Sequence, residues 1–215
     1  MRVFITGGTG YVGTRLIAAL LARGHEVRAL ARASSAPRVP AGATVVTGDA
    51  LDAATFAGAI RPGDTVVHLV GTPHPSPAKA AEFRRVDGPS IRASIAAASQ
   101  SRAAHLVYVS VAHPAPIMRA YIEVRSAGEV AIAAAGLTAT VLRPWYVLGP
   151  GHWWPLVLVP LYAAARRVPS LQAGAERLGL VRIDQMVTAL VQAVEHPPET
   201  GIRVVEVPGI RDARA

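Results

Sequence analysis

The eleven residues TGGTGYVGTRL, Thr6 to Leu16, follow the short apolar run RVFI at the head of the chain, and their reading decides the fold. Gly7, Gly10 and Gly13 form TGxxGxxG between a run of strand character and a run of helical character. Glycine there permits a tight turn and close approach of backbone to a pyrophosphate, and the following helix would point its positive amino end at the phosphates. Thr9, Tyr11 and Val12 share the turn and the start of the helix, and join the glycines as candidate cofactor contacts. A glycine cluster alone can be a plain strand-to-helix turn, so its flanks have to agree.

They do. RVFIT (Arg2–Thr6), EVRALA (Glu26–Ala31), TVVTG (Thr44–Gly48), DTVVHLV (Asp64–Val70), HLVYVS (His105–Ser110) and TATVLR (Thr138–Arg143) are short β-branched runs that read as buried parallel strands. Helical stretches lie between them at about Tyr11–Arg23, Ala53–Ile60, Ala80–Ser101 and Met118–Ala135, with Gly24, Gly63 and Gly136 as stops and turns. The alternation predicts an α/β, Rossmann-like doubly wound parallel sheet over residues 1–150. Residues 151–215 read as a small substrate-side segment packed on the same domain. Its helix-like DQMVTALVQAVEHP would be capped by Asp184, and IRVVEV would be a final strand.

Composition narrows the function. With 215 residues the chain is long enough for one sizeable core, and without cysteine it can form no disulfide or thiolate metal site. No metal site is expected. Met1 leads straight into the first strand with no leader pattern, so a cytoplasmic location is expected. The net charge of +8 is spread along the chain as arginine, Lys79 being the one lysine, and predicts no nucleic-acid partner.

An NAD site usually carries an acid about 20 residues beyond the glycines, for the ribose 2′-hydroxyl. Here the second strand ends in LARASS, which offers Arg32, Ser34 and Ser35 to a 2′-phosphate instead. NADP(H) is therefore favoured over NAD(H), against the plainer reading of Arg32 as one more solvated arginine.

TGGTGYVG (Thr6–Gly13), GDALD (Gly48–Asp52), YIEVRSAGE (Tyr121–Glu129) and LRPWYVLGPG (Leu142–Gly151) together resemble the short-chain dehydrogenase/reductase superfamily. The likeness is to its extended and atypical members, of the NAD-dependent epimerase/dehydratase-like and NmrA-like kinds. It implies that Asp49 and Leu51 flank the adenine, that Gly71 and Thr72 pass the nicotinamide ribose, and that Pro144, Trp145 and Val147 line the nicotinamide side. It also implies an active-site set of Ser110, Tyr121 and, where the family has lysine, Arg125. Residues 121 and 125 share a helix face, so a cation at 125 can stabilise a phenolate that exchanges a proton with a carbonyl or alcohol oxygen, with Ser110 bonding the same oxygen. Arginine keeps the charge but cannot pass on a proton. Tyr121 can alternatively be a packing aromatic, and Arg143 is expected to hold a strand end.

The apolar tract WWPLVLVPLYAAA (Trp153–Ala165), with Arg166 and Arg167 behind it, is too short and too interrupted by proline to span a membrane. It could wall a pocket for an apolar small-molecule substrate, touch a membrane surface, bury against a second subunit, or be core. Monomer and homodimer both remain open. The expectation is an oxidoreductase acting on a carbonyl or alcohol, or an epimerase/dehydratase variant. The competing reading is a non-catalytic NADP(H)-binding redox sensor or scaffold.

Overall fold

The computed structural model describes residues 1–151, 174 and 176–214. The strands are β1 (Arg2–Thr6), β2 (Glu26–Ala31), β3 (Thr44–Thr47), β4 (Thr65–His68), β5 (His105–Val109), β6 (Ala139–Arg143), β7 (Tyr146–Leu148), β8 (Leu180–Arg182) and β9 (Ile202–Glu206). Seven of them form a wholly parallel sheet in the order β3-β2-β1-β4-β5-β6-β9. A separate parallel pair joins β7 to β8. The helices are α1 (Tyr11–Ala22), α2 (Ala80–Glu82), α3 (Gly88–Gln100), α4 (Arg119–Ala134), α5 (Ile183–Glu195) and α6 (Val207–Arg211).

The continuous apolar character of RVFI follows from burial on both faces of the sheet. Val3 and Ile5 pack with Leu16, Ile17 and Leu20 of α1 and with Met186, Leu190 and Val194 of α5. Phe4 points the other way, into a core with Phe56, Ile91, Leu106, Tyr108 and Ile132, and its ring stacks on Phe56 at 5.9 Å. Thus α5 and β9, both drawn from the last third of the chain, complete the same sheet and core. Gly24, with φ of +77°, closes α1 as expected, and the His25 backbone N–H donates back to the Leu20 carbonyl.

The structure corrects several local expectations. Ala53–Ile60 is not a helix but two short 3-10 turns, Ala53–Thr55 and Ala57–Ala59, the first capped by the Asp52 carboxylate. The expected long helix at Ala80–Ser101 is broken by a π-helical turn, Phe83–Asp87. Pro89 sits in the first turn of α3 and has no N–H for the turn before it, which favours a widened pairing there. Asp184 lies inside the first turn of α5, not at its cap. The N-cap is Arg182, whose backbone N–H donates to Gln185, while its side chain pairs with Asp184. The tract Trp153–Ala165, with Arg166 and Arg167, lies outside the described residues, and no described helix is long and apolar enough to cross a membrane.

Two histidines are buried without charge. His68 takes hydroxyl contacts from Thr6 and Ser94 at 3.0 and 2.9 Å, and burial, with the nearby Arg125 charge, lowers its pKa to about 3. His105 faces Thr140 at 3.0 Å, and burial, with Arg203 nearby, lowers its pKa to about 4. Above the ordinary histidine range both are neutral, folded or unfolded. Below about pH 6.5 the unfolded chain binds two protons that the folded chain refuses, so stability falls with pH by up to about 1.4 kcal/mol per unit for each histidine until each folded pKa is reached. Urea unfolding should show a lower midpoint at about pH 5 than at about pH 7.5, and His68→Gln with His105→Gln should flatten the slope. An unchanged wild-type midpoint would contradict this account.

Candidate functional site

The carboxyl ends of β1 and β4 meet where the strand order reverses, the position at which such sheets bind ligands. The glycine turn lies there. Gly7 has φ of +78°, and a Cβ on it would stand 2.7 Å from the Leu69 carbonyl carbon, so only glycine lets the turn lie against the end of β4. A Cβ on Gly13 would overlap the Gly7 carbonyl and press on Gly8. Gly10 is the N-cap of α1, donates its N–H to Gly7 at 3.1 Å and brings no capping side chain, and the first turn contains no acid. The amides that begin α1 at Tyr11, Val12 and Gly13 thus form a bare positive helix end beside Thr9. This cradle fits a dinucleotide pyrophosphate.

Arg32 and Ser34 are exposed at the end of β2, and Arg32 forms no ion pair with a described residue. Ser35 turns inward and donates to the Arg32 carbonyl, so it is not available to a ligand. Asp49 accepts from the Leu51 N–H at 3.0 Å in a tight turn after β3, leaving Leu51 exposed.

Arg125 lies one turn after Tyr121 in α4, as expected, but it is only 4% exposed. Its Nη2 donates to Asp87 at 2.7 Å and to the Val70 carbonyl at 3.3 Å, and its Nη1 donates to the Val109 carbonyl at 3.0 Å. Asp87, fully buried at the end of the π turn, uses its other oxygen to accept from the backbone and hydroxyl of Thr72 at 3.0 and 2.6 Å. A Cβ on Gly71 would overlap the Arg125 guanidinium, which explains the glycine in that loop. Burial works against the Arg125 charge, but the facing Tyr121, Tyr108 and Asp87 outweigh it and hold its pKa above the ordinary range. Tyr121 is half-buried, with its ring 5.2 Å from the Arg125 guanidinium carbon and 4.8 Å from the Phe83 ring.

Ser110 is buried at the end of β5 and donates to Glu129 of α4 at 2.5 Å. Glu129 also binds Arg143, which reaches on to Glu206 of β9 at 2.8 Å, so Arg143 does hold a strand end. Pro144 is buried and accepts from Ala112 at 2.9 Å. Trp145 meets Tyr146 edge-on at 5.5 Å, and Val147 pairs with Val181. A Cβ on Gly149 would overlap the Tyr11 hydroxyl, which brings this segment against the start of α1. Lys79 donates to Pro73 at 2.6 Å within its own loop. Sequence reading missed Asp87 and Glu129. Nothing in the sequence sets Asp87 apart from Glu82 or Glu129 from Glu123, and only the fold shows what they meet.

The parallel sheet and the cradle at its switch point define a Rossmann-type dinucleotide-binding protein. A family model described as NAD(P)H-binding matches residues 7–149. The chain belongs to that family, among the extended and atypical short-chain dehydrogenases/reductases. It is similar to a ceramide reductase of Caulobacter vibrioides (30% identity, 91% of this chain and 61% of that one). It is also similar to a 3-diazoavenalumate denitrifying reductase of a Streptomyces species (33% identity, 91% and 72%). A farnesyl-dihydroquinoline-oxide ketoreductase of Stigmatella aurantiaca is 31% identical over 69% of this chain and 51% of its own. The chain thus spans between about half and three quarters of these relatives' lengths. In fold it matches the UDP-glucose 4-epimerase of Thermus thermophilus, solved with NAD, with a TM-score of 0.68 at 22% identity over 96% of this chain and 78% of that one.

Asp87→Asn would leave the Arg125 charge buried without its counter-ion, so denaturant unfolding should show a loss of about 3–5 kcal/mol. A loss below about 1 kcal/mol would show that the pair does not anchor the site.

Proposed function

We propose that the chain is an NADP(H)-dependent oxidoreductase acting on a carbonyl or alcohol of an apolar small molecule. The observation that carries this reading is the buried Arg125 cation set 5.2 Å from the Tyr121 ring on one face of α4. Its guanidinium is bound to Val109 at the end of β5 and to Val70 just past β4, the strand whose end abuts the glycine cradle. The relatives' names support net reduction: three are called reductases or a ketoreductase, and ceramide and a farnesyl-bearing quinoline are apolar compounds. The same names favour catalysis over a sensor or scaffold role.

In this reading Gly7, Thr9, Gly10, Tyr11, Val12 and Gly13 hold the pyrophosphate, and Arg32 with Ser34 binds a 2′-phosphate. Asp49 and Leu51 border the adenine. Gly71 and Thr72, with Pro144, Trp145 and Val147, shape the nicotinamide end. The bound dinucleotide supplies or accepts the hydride. Tyr121 gives a proton to the substrate oxygen or takes one from it, beside the fixed positive charge of Arg125. Arg125 does not itself pass on a proton, because a guanidinium stays charged; its two terminal nitrogens bond Asp87 and two carbonyls, and its Nε is buried without a partner. Arg125 is therefore a positioning residue, and Tyr121 and Ser110 are the groups that meet substrate.

Tyr121→Phe should lower NADPH-dependent turnover of carbonyl compounds by about 10²-fold or more while leaving NADPH affinity near wild type. Unchanged turnover would remove Tyr121 from the chemistry. Fluorescence titration should give tighter binding of NADPH than of NADH. Arg32→Ala should weaken NADPH binding by about tenfold and barely move NADH. Equal loss for both nucleotides would remove the 2′-phosphate reading.

A further inference from the structure

Phe83 stands apart from the other large buried side chains. It is 1% exposed, yet it belongs to neither of the two apolar cores that flank the sheet, one built on Phe4, Phe56 and Ile132 and the other on Leu16, Ile17 and Leu190. A ring buried outside both cores has to have another partner, and among the described residues that partner is Tyr121. The ring centroids are 4.8 Å apart with the planes tilted by 52°, within the range where two aromatic rings attract. Phe83 opens the π turn that Asp87 closes, so the two ends of one turn meet Tyr121 and Arg125, which lie one turn apart in α4. The Arg125 guanidinium carbon stands 5.2 Å from the centre of the Tyr121 ring. The Tyr121 hydroxyl bonds to no described residue, so its direction is set by what the ring touches.

We infer that Phe83 is a positioning residue that fixes the plane of the Tyr121 ring, and through it the direction from which the phenol meets the substrate oxygen. A tyrosine turns about two side-chain bonds, and with its hydroxyl unbonded the contacts of the ring are what restrain them. Arg125 brings charge, held in place by Asp87 and two carbonyls, and Phe83 brings a rigid apolar surface carried by the π turn. Proton transfer needs its donor within a narrow range of distance and angle. In the reduction of a ketone the carbonyl carbon takes the hydride that the dinucleotide supplies, the oxygen takes the Tyr121 proton, and the phenolate regains a proton from water. A donor fixed in direction accepts the carbonyl in one orientation, which presents one of its two faces to the hydride. Phe83 thereby sets the handedness of the alcohol formed. The inference rests on the reading of Tyr121 as the proton donor, and it adds stereochemical control to that reading.

Two measurements test it. In the cofactor-free protein with isotope-labelled tyrosine rings, NMR relaxation should report a restricted Tyr121 ring in wild type and a clearly more mobile one in Phe83→Leu, with the core residue Tyr108 unchanged. The Tyr121 signals are assigned by their loss in Tyr121→Phe, and Phe83→Met replaces Phe83→Leu if circular dichroism shows the latter unfolded. Equal mobility of Tyr121 with and without the Phe83 ring overturns the inference. The second measurement is NADPH-driven reduction of acetophenone, with the enantiomers of the alcohol separated by chiral chromatography. Wild type should form one enantiomer in excess by about tenfold or more. Phe83→Leu should lower kcat by about tenfold, leave the Kd for NADPH within about twofold of wild type and bring the enantiomer ratio towards unity. Phe83→Tyr, which keeps a flat ring, should retain the ratio. A wild-type ratio near unity, a ratio that survives in Phe83→Leu, or a loss confined to NADPH affinity overturns the inference. No turnover of acetophenone by wild type counts against the hydride-transfer reading and the stereochemistry built on it, while the relaxation experiment still decides whether Phe83 holds the Tyr121 ring.

Discussion

The ion pair between Asp87 and Arg125 is the constraint on which the rest of the site depends. Taking two charges out of water is costly, and the cost is offset only where the remaining donors and acceptors are met. Here Arg125 reaches two carbonyls as well as Asp87, and Asp87 accepts from both polar groups of Thr72, so that of these groups only the Arg125 Nε is left buried without a partner. One buried charge pair therefore joins the ends of β4 and β5, the loop after β4, the π turn and α4. Tyr108 adds to the fit. Its hydroxyl donates to the Arg125 carbonyl at 3.2 Å, over Gly128, where a Cβ would stand 2.8 Å from that oxygen. Burial pushes the Tyr108 phenol up to about 12, so it stays protonated and goes on donating. Helix α4, which carries Tyr121, is thus located by polar bonds in the interior as well as by its apolar face.

Much of the sheet was legible because its strands obey a local rule. A parallel strand buried on both faces must be apolar nearly throughout, and RVFI, TVVH, HLVYV and ATVLR announce this without reference to neighbours. The glycine turn was legible for a related reason. The positive φ of Gly7 and the overlap of a Cβ on Gly13 with the Gly7 carbonyl are demands of the turn itself, contained within a few residues. The family resemblance came from the same local motifs, and the NAD(P)H-binding family match over residues 7–149 bears it out.

What was not legible depends on distant partners. Nothing near Asp87 in sequence reveals that Arg125, 38 residues on, will meet it, and Glu129 reads as a solvated helix acid until Ser110 and Arg143 are brought to it. Ala53–Ile60 has helical composition, yet the Asp52 cap and two competing 3-10 turns win over so short a stretch. The pair β7 and β8 joins three-residue segments whose partners lie more than 30 residues apart, too short to show a period.

Arginine at position 125 acquires a physical sense from this arrangement. A lysine there would place one compact ammonium, with rotatable donors and a proton it can release. The guanidinium has a rigid fork, and its two ends serve the carboxyl ends of two neighbouring strands while the charge faces Asp87 and two tyrosine rings. Gly71 opens the space that the wider group needs. The exchange trades a mobile proton carrier for a fixed charge, so proton movement at this end of the sheet has to rest with groups that hold exchangeable protons. Tyr121 is one. Ser110, whose proton points at Glu129, is the other polar group of the expected set, and the ion chain Glu129–Arg143–Glu206 fixes its direction. Charge and proton are thereby divided between two networks on one helix, with Arg125 supplying the first and Glu129 orienting the second.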